Sequence, residues 1–150
     1  MKLLVTFLII LAFLQTTIIP IDLVVIILIL RSYVKNDQAN LYIAFGIGLL
    51  VAHLSASTLG LQSLIYLLLV QIARSFANSR FSENILIFLP VTALLLIMNN
   101  FFTAYASNKS VDLWPEILIE VLLSIPLYYL IKAWEERFTF KREIKLKFRK

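Results

Sequence analysis

From Leu3 to Ile131 the chain is a succession of apolar runs, broken only by short polar patches. No arrangement of such runs leaves enough polar surface for water. Of the 150 residues, 61% are hydrophobic and 15% charged. A soluble domain is about 45–50% apolar and about 25% charged. The surplus requires lipid as part of the solvent, and the length suits one domain. The absence of cysteine excludes disulfides and thiolate metal sites. The net charge of +5 is gathered toward one end. That distribution points to membrane orientation and away from nucleic acid.

The runs divide at recognisable breaks. The first extends from Leu3 to about Thr17, with Gln15 and two threonines at its end. No small-residue cleavage site follows it, so residues 1–20 are read as retained. Pro20, which lacks an N–H, suits a break. A single helix kinked there would place Asp22 in mid-bilayer at a cost of about 2.5–3.5 kcal/mol. A hairpin puts Asp22 at the interface and makes Leu23–Leu30 the core of a second span. Arg31–Asn40 reads as a polar loop, Leu41–Ser55 as the third span, Ser55–Thr58 as a turn and Leu59–Ile72 as the fourth span. After the loop Arg74–Glu83 comes a fifth span, Asn84 to about Phe102, containing Pro90. Thr103–Leu113 is a loop. Trp114 is an interfacial anchor, and Pro115 opens a sixth span that contains Pro126 and ends at Ile131.

The expected fold is therefore an all-α integral membrane protein: a six-helix transmembrane domain over residues 1–131 and a basic cytoplasmic tail over 132–150. With the N-terminus inside, every Lys and Arg except Lys109 falls on the cytoplasmic side, as the positive-inside rule requires. Both termini are then cytoplasmic. In the tail, Phe138, Phe140, Ile144, Leu146 and Phe148 recur at even positions. Period two predicts an extended strip, resting on anionic lipid or pairing with a partner's strand edge.

Within the third span and its turn, Ala44, Gly48, Ala52, Ala56 and Gly60 fall four apart. On a helix such residues share a face. Small side chains there let a second helix come close, whether it belongs to this chain or to a partner. On the partner reading, Gly48→Leu weakens binding. His53 is the sole histidine. It reads as a proton relay or ligand, or as a neutral side chain near the outer interface; the lack of a second histidine or a cysteine favours the latter. Glu116 and Glu120 lie on one face of the sixth span. Glu116 suits the positive N-terminal end of the helix. Glu120 lies deeper and needs water or a partner, with Asn99, Asn100 or Gln62 available. A carboxylate pair of this kind can do acid–base work or hold a cation, and a functional Glu120 would serve in binding. Asn99 and Asn100 otherwise act as interhelical hydrogen-bonding groups. There is no Gly-rich phosphate loop, no H-E-x-x-H and no G-x-S-x-G. No enzyme activity, cofactor or metal site is expected.

Leu14-Gln15, Ile21-Asp22-Leu23, and the stretch from Gly46 to Gly60 resemble the rod shape-determining protein MreD family. That family shows Leu-Gln at the end of its first span and Pro-Asp-Leu at the start of its second. A glycine, a hydrophobic run and an acid then lead into Gly-Ser-x-x-Gly. Here Gly48-Leu49-Leu50-Val51-Ala52 and Ala56-Ser57-Thr58-Leu59-Gly60 occupy those places. Ala52 stands in place of the acid, Ala56 in place of glycine and Ile21 in place of proline, so the role of that acid does not carry over. The resemblance implies a non-enzymatic scaffold in the bacterial inner membrane. It would act in cell-shape maintenance and regulation of peptidoglycan synthesis by binding the single-span protein MreC and other cell-elongation proteins. The alternative is the substrate-binding component of an energy-coupling-factor vitamin transporter, a similar small six-helix protein.

Overall fold

The computed structural model describes residues 2–18, 21–56, 60–78, 85–107 and 113–147. Side chains of residues 2, 85–87, 106–107, 113–116 and 138–147 lie outside that description. The described residues form six α-helices and no strand: α1 (Lys2–Thr17), α2 (Leu23–Val34), α3 (Ala39–Leu54), α4 (Leu61–Ala77), α5 (Ile85–Ser107) and α6 (Leu113–Lys147). Windows of α5 (Phe88–Tyr105) and α6 (Ile117–Arg137) are long and apolar enough to cross a membrane. The other four are shorter apolar helices.

α2 is the centre of the packing. Its sequence, LVVIILILRSYV, is apolar on every side through Leu30. A helix of that kind has no face suited to solvent and belongs inside other helices. Every residue from Val24 to Ser32 is buried, and α2 packs against each of the other five helices. α1 and α2 are separate helices in contact, as the hairpin reading expects. Side chains from both halves of the chain meet at each end of α2. Gln15 near the end of α1 and Glu120 near the start of α6 reach its first turn. Glu135, further along α6, reaches its last turn. α6 therefore runs parallel to α2.

Two expectations are corrected. Arg31–Val34 belongs to α2 and not to a loop. The helix continues because the Arg31 guanidinium has partners in the interior: it donates to Glu135 Oε1 at 3.3 Å and to Asn40 Oδ1. The stretch 132–147 is helix, continuous with α6, and not an extended strip. After Pro126 it contains no proline or glycine, and Glu, Lys, Arg and Leu are good helix formers. Propensity and the momentum of an existing helix outweigh the two-residue alternation.

That stripe is divided by the structure. Ala44, Gly48 and Ala52 are buried. A Cβ on Gly48 would stand 2.5 Å from Ser63 Cα, so the glycine admits the backbone of α4. These three positions are filled by the chain's own helices, and Gly48→Leu disrupts α3–α4 packing before any partner is involved. Ala56 and Gly60 belong to the following turn, with φ of 49° and 95°. Ser57 and Thr58 lie outside the described residues.

Candidate functional site

A helix begins with N–H groups that have no partner in its own first turn. For a helix as enclosed as α2, water does not supply the acceptors. Asp22 is its N-cap residue but makes no side-chain capping bond. The acceptors come from other helices. Glu120 Oε1 accepts the Asp22 N–H at 3.1 Å. Gln15 Oε1 accepts the Val24 N–H at 3.1 Å. The placement of carboxylate at the positive end of a helix is favourable in its own right.

The Asp22 side chain is thereby released for α5, where Asn99 Nδ2 donates to Asp22 Oδ2 at 2.5 Å. Asn100 Nδ2 donates to Glu120 Oε2 at 3.3 Å. From α4, the Tyr66 hydroxyl faces the amides of Gln62 and Gln15 and lies within electrostatic reach of Asp22 and Glu120. Glu120 is 2% exposed; Asn99 and Tyr66 are equally enclosed. Residues of five helices, or of their caps, thus meet in one polar cluster. Two of its oxygens, Asn99 Oδ1 and Tyr66 Oη, are buried and make no hydrogen bond.

Of the sequence candidates, Glu120, Asn99 and Asn100 come together here. His53 does not. It is exposed in the last turn of α3. The side chain of Glu116 lies outside the described residues, as does Lys109. Asp22, Gln15 and Tyr66 join the cluster without being expected site residues. Asp22 and Gln15 carried a signal all the same: each is a polar residue set beside a long apolar run, and each lies in a stretch that carries the family resemblance. Tyr66 carried none.

The opposite end of α2 holds a second cluster. Arg31, 2% exposed, pairs with Glu135, which Lys35 also approaches at 3.4 Å. Asn40 Nδ2 donates to the Lys35 carbonyl at 2.6 Å. Arg74 Nε donates to Asn36 Oδ1 at 2.7 Å, and Asn36 in turn donates to Asn78. These bonds tie the start of α3 and the end of α4 to the α2–α3 connection.

No group of three His, Cys, Asp or Glu converges among the described residues. No protein-family model, no curated protein and no solved structure matches the chain.

Proposed function

We propose that this chain is a six-span, non-enzymatic scaffold of the bacterial inner membrane, similar to the MreD family, that binds an MreC-type single-span protein in the cell-elongation machinery. The observation that carries the reading is the backbone of the turn after α3. Ala56 and Gly60, at the two ends of the segment that resembles Gly-Ser-x-x-Gly, both have φ in the left-handed region. That region favours glycine, and an alanine there bears a cost of roughly 1–2 kcal/mol. The motif's two glycine positions thus correspond to two places where this fold asks for glycine, even though one of them is alanine. The other stretches of the resemblance also have structural work. Gln15 and Asp22 serve the start of α2, and Gly48 admits α4.

The membrane part of the reading is supported by the outer surface. Phe7, Phe13, Leu64, Phe101 and Leu122 are all exposed, and exposed apolar surface on this scale is characteristic of chains solvated by lipid. Arg31, Lys35 and Arg74 gather at one end of the bundle, around the same hydrogen-bonded connections. That is the asymmetry expected of a cytoplasmic face.

Convergence of Glu120, Asn99, Asn100 and Gln62 favours a second reading, the substrate-binding component of a vitamin transporter, because such a site needs a few polar groups aimed at one point. Co-purification separates the two. Tagged full-length chain is extracted in mild detergent together with the MreC of the same organism. Recovery of MreC at a fixed ratio is the expected result. Absence of MreC, with a small vitamin retained by the pure protein, overturns the scaffold reading in favour of the transporter.

A further inference from the structure

Arg31 and Arg74 lie at the same end of the bundle and are used differently. Arg31 is spent inside the protein, on Glu135 and Asn40. Arg74, in the last turn of α4, meets no carboxylate among the described residues. It is held by one nitrogen. Its Nε donates to Asn36 Oδ1 at 2.7 Å. Asn36 donates to Asn78, and the Asn78 N–H returns to the Arg74 carbonyl at 3.2 Å. This ring of three bonds orients the guanidinium, while its two terminal nitrogens find no acceptor among the described residues. Those nitrogens form a planar fork that matches two oxygens of a phosphate.

The charge around the α2–α3 connection does not balance. Arg31 and Lys35 share Glu135. Asp37 Oδ1 accepts the Ala39 N–H at 3.3 Å. Arg31, Lys35 and Arg74 thus face only the carboxylates of Glu135 and Asp37, which leaves a surplus of one positive charge. Further along α4, away from this end, Leu61, Leu64 and Leu68 are exposed. A phospholipid with one net negative charge complements both parts: its phosphodiester meets the guanidinium and its acyl chains cover the apolar helix. We propose that Arg74, oriented by Asn36, binds the phosphodiester of an anionic phospholipid at this end of α4. Lys35, 38% exposed, adds attraction for the same headgroup. Inorganic phosphate shares the oxygen chemistry and lacks the apolar part. The inference rests on the membrane part of the proposed reading and is independent of any protein partner.

The test melts the full chain in a neutral detergent at constant ionic strength, with added phosphatidylcholine, with phosphatidylglycerol at the same lipid fraction, or with phosphatidylcholine and inorganic phosphate. A ligand that binds only the folded state raises the melting temperature. Phosphatidylglycerol is expected to raise it by about 3 °C or more relative to phosphatidylcholine, and inorganic phosphate to leave it unchanged. Arg74→Gln is expected to lose most of that rise. Arg74→Lys, which keeps the charge without the fork, is expected to retain only part of it, as is Asn36→Ala. A purely structural role for either residue would lower melting equally in both lipids and leave the rise intact, which overturns the proposal. Lys132→Gln, at an exposed cation of α6 one turn before Glu135, is expected to keep the rise. A rise lost as fully there as in Arg74→Gln marks general attraction to a basic surface and overturns the site. An equal rise with inorganic phosphate overturns the lipid as its source. A chain that enters detergent yet melts alike in both lipids overturns this inference alone, whereas one that partitions into water overturns the membrane reading and this inference with it.

Discussion

The two ends of α2 face the same difficulty and meet it differently. Each is a helix terminus enclosed by other helices, with backbone groups and a partial charge to be satisfied. The first turn, with its partial positive charge, is met by Glu120 and by the Gln15 amide oxygen. The last turn, with its partial negative charge, carries Arg31 within the helix itself. In both cases the sign of the neighbouring charge complements the helix dipole. The difference lies in the groups recruited. At the Arg31 end a cation, a carboxylate and an asparagine share their bonds. At the Asp22 end acids and amides from other helices meet. One terminus is met by an ion pair and the other by carboxylates and amide oxygens, and each has a tyrosine nearby, Tyr33 or Tyr66, whose buried hydroxyl makes no hydrogen bond of normal geometry.

Breaking the Arg31 end has the largest expected effect. Arg31→Met takes the guanidinium from Glu135, 13% exposed, and leaves it the more loosely held Lys35. Removal of one partner from a buried pair costs about 3–5 kcal/mol. Thermal melts in detergent are expected to show that loss, or a protein that no longer accumulates folded. A melting temperature unchanged from the parent would mean that the interior pairing of Arg31 contributes little. At the other end, Gln15→Leu takes the acceptor from the Val24 N–H while preserving bulk. The expected loss is about 1–3 kcal/mol, the cost of one buried group without a bond, and hydrogen exchange at Val24 is expected to quicken. Protection at Val24 as strong as in the parent would show that another acceptor takes over. Lys35→Met gives the smallest change. The ammonium is 38% exposed, and ion pairs with a solvated partner are worth about 0–1 kcal/mol. A loss as large as that of Arg31→Met would abolish the distinction between the buried and the peripheral cation.

Much of this arrangement is written in the sequence at the level of single elements. The apolar runs, Pro20 and the polar patches set the number and approximate places of the helices. The depth of Glu120 and the neighbouring Asn99 and Asn100 marks them as groups in need of partners. Two kinds of information are not local. Whether Arg31 ends a helix or is carried inside it depends on Glu135, far along the chain. The alternation in the last residues is a true feature of the sequence, but it competes with helix propensity and with a helix already running, and those prevail. LVVIILIL shows its burial by its lack of a polar face, yet in a membrane chain the same lack also describes a lipid-facing span. Only the packing of neighbours distinguishes the two. The convergence of Gln15, Asp22, Tyr66, Asn99 and Glu120 is of the same order: each residue is visible, and their meeting is not.

The grip of α6 on both ends of α2 also orders events in time. The bonds from Glu120 and Glu135 cross 98 and 104 residues of sequence. During synthesis α2 is made well before the helix that finishes it. Until then its opening N–H groups and its arginine must find other partners. Contacts of such long sequence separation form late and slowly. The centre of the bundle is thus made well before it is completed, and arrival of α6 is the step that seals it.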